Sequence, residues 1–346
     1  MAAAVAQGSF TLDSPSRYLG PAEDRFFGAG YRRVRQNLRF AGLLDHPATG
    51  IRANAGVECP SDWSTKGTTA QRPHLSTIDV LLVATRAAGA VIGAAYGLDE
   101  ADLAAVWVRS VVIRAAAAPV EHDLGNLDVT AEHVRSEVEP GRAEHAGRSA
   151  CVDAVRVRVA GFAVELEVVH PGVGTPASRL DPAVADRLLA HAAGPYADGY
   201  RTHEMRTQDI RVDGTVAHAR SRLVAGPGDG VPRAGLAARY EPHVTLVDAF
   251  VETLQLGQIL MYELDGIDRA TSNTLWMRRT VLHTADPAVQ TEAEVPVTVT
   301  LEALRSLARG GALWRACDIV SERNGTAVRC SVAHELPAPA AGSDLR

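Results

Sequence analysis

The fold is decided by residues 73–114, which read PHLSTIDVLLVATRAAGAVIGAAYGLDEADLAAVWVRSVVIR. A related stretch at residues 242–283 reads PHVTLVDAFVETLQLGQILMYELDGIDRATSNTLWMRRTVLH, and an offset of 169 aligns the two without a gap. The identical pairs include His74 with His243, Asp79 with Asp248, Gly97 with Gly266, Trp107 with Trp276, and Arg109 with Arg278. Self-similarity at such a long period predicts a duplicated domain rather than a solenoid.

Each copy begins with the signal of a helix start. Ser76 and Asp79, like Thr245 and Asp248, have the spacing of a capping box, in which two side chains bond each other's backbone N–H groups. A glycine about twenty residues later predicts the helix end. We therefore expect one long helix in each half of the chain.

The first of these helices is apolar enough to be mistaken for a membrane span. Residues 78–97 are nearly all apolar, and about twenty such residues cross a bilayer. Asp79 and Arg86 interrupt the run, however, and the second copy carries Glu252, Gln255 and Gln258, which are costly in lipid. A helix buried inside a soluble protein is the simpler interpretation.

Segments rich in β-branched residues follow each helix and predict antiparallel strands. Their ranges are 106–113, 127–134 and 152–170 in the first copy, and 275–282, 295–301 and 313–334 in the second. The last segment of each copy is predicted to be a hairpin, turning at Ala160-Gly161 and at Asn324-Gly325, because Asn-Gly favours a two-residue turn. Two further strands are expected before each helix.

Composition limits the class of protein. The 346 residues carry a net charge of -6, with 46% hydrophobic and 22% charged residues, which is typical of a soluble protein and disfavours a large nucleic-acid surface. The four cysteines lack metal or disulfide spacing, and no secretory signal precedes the first copy, so a cytoplasmic location is expected. The predicted organisation is a first domain at 1–172, a linker with a short helix at 173–194, a second domain at 195–336 and a disordered tail at 337–346.

Two α+β halves, each with a sheet wrapped around one apolar helix, resemble the tandem, or double, hot-dog fold of acyl-thioester enzymes. The segment YEPHVTLVDA at 240–249 resembles the helix-start motif of polyketide dehydratase domains. The opening GPAEDRFFGAGYRRV, the SDWSTKG loop and PHLSTID are more similar to the avirulence protein D family. That resemblance implies synthesis of syringolide-type compounds from a β-ketoacyl chain and a pentulose. It also implies kinship with butyrolactone autoregulator synthases, which transfer a β-ketoacyl group to a phosphate ester.

Acyl transfer from a thioester needs a donor to the developing oxyanion and a base for the attacking hydroxyl. The free N–H groups of a helix start can provide the donor, so Ser76 and Thr245 mark candidate thioester sites. Asp248 is a candidate base, with capping as an equally supported role, and Glu252 is a second carboxylate specific to the later copy. Asp79 is a weaker catalytic candidate, so the second helix start, at Thr245, is favoured as the reacting centre.

Four further positions in the first half, together with the two aligned histidines, complete the set of candidate residues. His74 and His243 could relay protons or could be bonded to backbone. Lys66 could bind the phosphate of pantetheine, and Tyr31 and Arg32 open a basic run that could contact substrate or lie solvated on a strand edge. Dehydratase domains have a catalytic histidine in an HxxxGxxxxP loop, where this chain has Trp63 at the head of WxxxGxxxxxP. Tryptophan cannot exchange a proton, which favours transfer over dehydration.

The sequence therefore predicts an enzyme that joins a β-ketoacyl thioester to a hydroxylated sugar or sugar phosphate, giving a butenolide-like product. The alternatives are an acyl-thioester dehydratase or hydratase, and a non-catalytic acyl-binding module. No cofactor or metal is expected. The acyl donor would be acyl-CoA or an acyl carrier protein, no membrane or nucleic acid is expected as a partner, and the chain would be a monomer or a homodimer.

Overall fold

The computed structural model describes residues 8–46, 48–66, 69–144, 148–171, 174–190, 193–225, 234–287 and 294–337. The predicted tail lies outside these residues apart from Pro337. The α-helices are α1 Ser16–Leu19, α2 Tyr31–Arg33, α3 Thr77–Tyr96, α4 Glu100–Ala105, α5 Pro182–Ala190 and α6 Leu246–Asp265. The first-half strands are β1 Phe10–Leu12, β2 Arg35–Leu43, β3 Gly50–Glu58, β4 Thr65–Lys66, β5 Thr69–Ala70, β6 Trp107–Arg114, β7 Leu127–Glu144, β8 Arg148–Val159 and β9 Phe162–Pro171. The later strands are β10 His203–Asp213, β11 Val216–Ala225, β12 Trp276–Thr284, β13 Val295–Arg309, β14 Ala312–Arg323 and β15 Thr326–Glu335.

One antiparallel sheet of thirteen strands spans both halves in the described part of the chain. Its order is β1-β10-β11-β13-β14-β15-β12-β6-β9-β8-β7-β3-β2. The order of the six strands β2-β3-β7-β8-β9-β6 repeats in reverse as β12-β15-β14-β13-β11-β10. The halves join where β6 pairs with β12, with Val111 opposite Leu282. The duplication seen in the sequence is thus a structural repeat, and the fold is the double hot-dog.

The two long helices form the core that the sheet encloses. Both capping boxes are present, since Ser76 and Asp79, and likewise Thr245 and Asp248, bond each other's backbone N–H groups. Both helices end at a glycine with φ of 62°. Of the apolar window in α3 that is long enough to span a membrane, 94% is buried inside the protein, so this helix is a core helix.

The polar residues of these helices find partners within the fold. Arg86 donates hydrogen bonds to the carbonyl oxygens of Gln36 and Leu189, at 3.0 and 3.2 Å. Glu252 accepts one from Thr207 at 2.8 Å and pairs with Arg323. A charge inside a core is tolerated when its hydrogen-bonding capacity is met, which explains how an almost wholly apolar pattern can include them.

Both predicted hairpins are confirmed. Ala160 and Gly161 have φ of 44° and 91°, and Asn324 and Gly325 have φ of 44° and 80°. Two successive positive φ values define the hairpin turn that matches the twist of the flanking strands.

The N-terminal segment crosses to the second half. The domain boundaries predicted from sequence put residues 10–12 in the first domain, whereas β1 pairs with β10. Tyr18 also donates a hydrogen bond to Glu263 at the end of α6, 2.9 Å away. The helix predicted in the linker is α5, whose Leu188 side chain packs against α3 at Gly93. These contacts tie the two halves into one unit.

Candidate functional site

A cavity of about 690 Å³ opens beside the start of α3, between the two halves. This volume suits a small organic ligand. The first half contributes the loop before α3, and the second half contributes α6, β12 and the β13–β14 hairpin. The lining combines aromatic rings with cationic side chains, namely Phe26, Phe27, Trp63, His74, Tyr262, Trp276, Trp314, Arg25, Lys66, Arg269, Arg278, Arg305 and Arg309.

The start of α3 forms part of the cavity wall. Ser76 and Thr77 line the cavity, and Thr77 is the first residue of the helix. Its backbone N–H has no hydrogen-bond acceptor among the described residues. An unbonded N–H at a helix start, reinforced by the helix dipole, can stabilise a negatively charged oxygen.

The start of α6 differs in this respect. The N–H of Leu246, its first residue, points to the hydroxyl oxygen of Tyr196 at 3.4 Å. Thr245 is 1% exposed, and neither Thr245 nor Asp248 is part of the cavity lining. The sequence favours this second start as the reacting centre, but among the described residues the cavity lies at the first.

His74 stands at the cavity between two tryptophans. Its ring lies 5.3 Å from the ring of Trp63 and 6.3 Å from that of Trp276, measured between centroids. Nδ1 lies 3.1 Å from the carbonyl oxygen of Arg72. A carbonyl can only accept, so Nδ1 carries the proton and Nε2 of the neutral ring keeps its lone pair. In this tautomer Nε2 of His74 is able to accept a proton.

Trp63 and Lys66 reach the same cavity but are held by the protein. The indole N–H of Trp63 donates to the carbonyl oxygen of Gln71 at 2.9 Å. The Lys66 ammonium donates to the carbonyl oxygens of Ser272 and Asn273 at 3.1 and 2.7 Å. Burial, followed by the nearby Arg269, lowers the pKa of Lys66 to about 8. Lys66 thus links the two halves as well as lining the cavity.

Arg25 and Arg269, two more cavity cations, are also engaged. The Arg25 guanidinium donates to the carbonyl oxygen of Gly20 and to Gln255. That of Arg269 donates to the carbonyl oxygens of Asp24 and Thr65. These contacts fix the walls of the cavity. The other three cationic residues of the lining, Arg278, Arg305 and Arg309, have no such anchor in the part of the chain that the structure describes.

Asp248 and His243 form a separate buried cluster at the start of α6. Asp248 is fully buried, and its Oδ2 lies 2.9 Å from Nε2 of His203. Burial alone would raise the pKa of Asp248, but the His203 charge and bonds from His203 and Thr245 lower it to about 2. His243 is 4% exposed, and burial lowers its pKa to about 4. The carboxylate therefore has a partly buried structural partner, His203, that the sequence did not reveal.

The low pKa of His243 predicts a loss of stability in mild acid. The group titrates near 6.5 when unfolded and near 4 when folded, so the unfolded chain binds more protons between these values. We expect its share of the unfolding free energy, roughly 3 kcal/mol from the size of the shift, to be present above pH 6.5 and lost toward pH 4. Urea unfolding of His243→Gln and the unsubstituted protein across this range should show a flatter pH profile for the variant.

An exposed histidine provides the control for this measurement. His218 lies on β11 and contacts Thr298, outside the cavity and the buried cluster. His218→Gln should keep the original pH profile. Equal slopes for His243→Gln and the unsubstituted protein would contradict a neutral, buried His243.

The remaining predicted residues lie away from the cavity. Asp79 is 1% exposed, and besides its capping bonds it accepts a hydrogen bond from Gln36 at 2.6 Å. Tyr31 is 1% exposed and its ring stacks on Tyr200, 6.2 Å between centroids, with the Arg32 guanidinium over its face. Asp79, Tyr31 and Arg32 are not part of the cavity lining, and nor is Glu252, which is paired with Arg323.

Sequence reasoning missed His203 and most of the second-half lining of the cavity. Nothing in the spacing of residues links His203 to Asp248, 45 positions later. Trp276 does carry a signal, because it recurs as Trp107, but recurrence in both halves by itself indicates a role in the fold. In the second half Trp276 lines the cavity, whereas Trp107 is buried in the core. Among the described residues no group of three or more His, Cys, Asp or Glu side chains could hold a metal ion.

Comparisons with known proteins bear on the fold and the family. A search of curated proteins found no match. A conserved hypothetical protein from Mycobacterium tuberculosis with a double hot-dog fold is 13% identical, with 95% of this chain and 94% of that chain covered and a TM-score of 0.40. A hot-dog protein of unknown function from Alicyclobacillus acidocaldarius is 11% identical, with 91% and 98% covered and a TM-score of 0.37. A MaoC-like dehydratase is 14% identical, with 97% and 98% covered and a TM-score of 0.35.

The family assignment comes from the sequence of nearly the whole chain. The family model described as Pseudomonas avirulence D protein (AvrD) matches residues 10–337. This range includes both repeated helices and every residue that lines the cavity. The chain belongs to the AvrD family.

Proposed function

We propose that this protein is a biosynthetic enzyme that transfers a β-ketoacyl group from a thioester to a hydroxyl of a sugar or sugar phosphate. The observation that carries the proposal is the placement of His74. Its Nδ1 proton is held by the Arg72 carbonyl, and it lines the same cavity as the open start of α3. A base and an oxyanion donor are the two groups that acyl transfer requires.

The chemical step follows from these positions. Nε2 of His74 takes the proton from the acceptor hydroxyl while the hydroxyl oxygen attacks the thioester carbonyl carbon. The carbonyl oxygen becomes an oxyanion beside the N–H of Thr77. As the oxyanion collapses, the carbon–sulfur bond breaks and the proton passes from His74 to the thiolate. The products are an ester and a free thiol, and closure of the β-ketoester to a butenolide-like ring would follow with loss of water.

Membership of the AvrD family supports the choice of these substrates. The AvrD resemblance implies a β-ketoacyl donor and a pentulose acceptor, with a syringolide-like product. The acyl donor would be acyl-CoA or an acyl carrier protein. The aromatic side chains around His74, including Phe26 and Phe27, offer apolar surface for an acyl chain.

Incubation with a β-ketoacyl thioester, with and without candidate ketoses, tests the proposal. Free thiol that appears only when a ketose is present, together with a product of the combined mass, is the expected result. Loss of water without thiol release would instead indicate a dehydratase. Acyl binding with neither reaction would indicate a binding module.

Thr77→Pro tests the oxyanion donor directly. Proline fits the first position of a helix and lacks only the N–H. Ser76 before it has φ of -85° and ψ of 161°, a conformation that a following proline allows. We expect kcat to fall about 10²–10³-fold, as for loss of an oxyanion donor elsewhere. Thr77→Ala, which removes the side chain and keeps the N–H, should stay within a few-fold of the unsubstituted enzyme, and similar rates for both variants would place the donor elsewhere.

A further inference from the structure

The repeated arginine has opposite surroundings in the two halves. Arg109 is the extra residue of a bulge on β6, and its guanidinium pairs with Glu139 and Glu167, each at 3.3 Å. Its repeat equivalent, Arg278, is the extra residue of the corresponding bulge on β12. No carboxylate pairs with the Arg278 side chain among the described residues, although this side chain is exposed and lines the cavity.

The strand register shows what replaced the two carboxylates. Glu167 lies opposite Ser110, next to the first bulge, and Ser331 lies opposite Arg279, next to the second. In the first half, Glu139 lies opposite Ala150, which in turn lies opposite Pro171 on the next strand. In the second half, Leu307 lies opposite Trp314, which in turn lies opposite Glu335 on the next strand. Because the last hairpins of the two halves align with an offset of 164, Pro171 corresponds to Glu335 and Glu139 to Leu307. Ser331 and Leu307 therefore stand where the first half has glutamates.

The same register places another cation beside Arg278. Glu137 lies opposite Val152, and its equivalent on the β13–β14 hairpin is Arg305, opposite Ala316. Arg309 follows four residues later on the same strand. Both are exposed and line the cavity, and neither has a carboxylate partner among the described residues. Compared with the surface around Arg109, the surface around Arg278 lacks two negative charges and has an arginine in place of a third negatively charged residue.

Other groups at the cavity do not neutralise these cations. Asp318 is the carboxylate in the described lining, and it is bonded to Arg329 at 2.8 Å and to Ser331 at 2.7 Å. The chain as a whole carries a net charge of -6, so the cationic surface is local. An exposed cluster of arginines at the mouth of a ligand cavity binds an anion that brings several acceptor oxygens.

We propose that Arg278, Arg305 and Arg309, the arginine cluster, bind a phosphate ester carried by a substrate of this cavity. The inference rests on the proposed function for the identity of the substrate, because that reaction offers two sources of phosphate. One is the phosphopantetheine arm of the acyl donor, and the other is a phosphorylated sugar acceptor. The guanidinium groups hold the phosphate at the mouth of the cavity while the reacting atoms lie deeper, at His74 and the start of α3.

Paired ligands that differ only in phosphate test the proposal without turnover. Binding of phosphopantetheine and pantetheine, and of a ketopentose and its 5-phosphate, is measured by calorimetry and by fluorescence of the cavity tryptophans. We expect one phosphorylated member to bind at least about tenfold more tightly than its partner, as charge-assisted hydrogen bonds are the stronger class. The pair that shows the difference identifies the donor or the acceptor as the source.

Two variants probe the cluster from opposite directions. Replacement of Arg278, Arg305 and Arg309 by Gln removes the cations. The pair Leu307→Glu and Ser331→Glu keeps all three arginines but restores the carboxylates of the first half. Both variants should bind the phosphorylated and unphosphorylated ligands equally. Arg220→Gln, on an exposed residue of β11 outside the cavity, is the matched control and should keep the preference.

The outcomes separate this site from the proposed function. Equal binding within both ligand pairs by the unsubstituted protein, or a phosphate preference that survives in both variants, overturns the phosphate site even if acyl transfer is observed. A preference lost in both variants establishes the site even if no thiol is released in the activity assay. Melting temperatures of all variants show whether any loss of binding reflects unfolding.

Discussion

His74→Asn is expected to lower kcat for acyl transfer by about 10²–10⁴-fold, the usual contribution of a positioned general base. Asparagine places an amide N–H near the position of Nδ1, so it can keep the hydrogen bond to the Arg72 carbonyl, but it has no basic nitrogen in place of Nε2. Folding should be unchanged because His74 is only partly buried and makes its recorded hydrogen bond through Nδ1. Single-turnover thiol release from a β-ketoacyl thioester measures the effect.

The control for this variant is a histidine away from the cavity. His218→Asn on β11 should leave kcat within a few-fold of the unsubstituted enzyme. Turnover by His74→Asn at more than a tenth of the original rate would remove His74 from the role of base. It would also direct attention back to the buried cluster at the start of α6.

Asp248→Ala is expected to cost about 3–5 kcal/mol of unfolding free energy, because it removes the buried carboxylate that pairs with the partly buried His203 and half of a capping box. The folded fraction should still turn over within a few-fold of the original rate, since Asp248 is outside the cavity. Guanidinium unfolding and activity per folded molecule give the two numbers. Normal stability combined with a large loss of turnover would instead make Asp248 the reacting carboxylate.

The contribution of the Asp248–His203 pair to stability is confined to a window of pH. The pKa of Asp248 is lowered to about 2, so its stabilisation is present above its unfolded value near 4 and is lost as the pH falls toward 2. For His203, burial opposes a rise in pKa, but the Asp248 charge and hydrogen bond outweigh it and raise the pKa. Its contribution is therefore complete below pH 6.5 and lost as the pH rises through the higher folded value. The pair stabilises the fold most between about pH 4 and 6.5.

The first half offers a matched comparison for Asp248. Gln36 of β2 contacts Asp79 as His203 of β10 contacts Asp248. His203→Gln would therefore place a neutral side chain beside Asp248, as Gln36 is placed beside Asp79. A double-mutant cycle of His203→Gln with Asp248→Asn isolates the energy of the pair.

The sequence by itself determined the parts of this protein that depend on local pattern. Capping-box spacing and the apolar pattern were enough to predict the two helix starts, and Asn324-Gly325 was enough to predict a hairpin turn. These features depend only on neighbours within a few residues. Because the same pattern occurs twice in the chain, the sequence also predicted the double hot-dog fold. The recurrence of Trp107 as Trp276 and of Arg109 as Arg278 marked equivalent places in the two halves without marking their different roles.

Only the tertiary structure decided which helix start lies at the cavity. Both helix starts carry the same His-to-Asp motif, so the sequence could not distinguish them, and it favoured the second. The difference comes from residues distant in the chain: Tyr196 meets the first N–H of α6, His203 pairs with Asp248, and the Thr77 N–H has no acceptor in the described part of the chain. The partners in the first two contacts are 50 and 45 residues apart, and sequence spacing does not show that folding brings them together. The same is true of Arg278, whose lost carboxylates become visible only once the strand register is known.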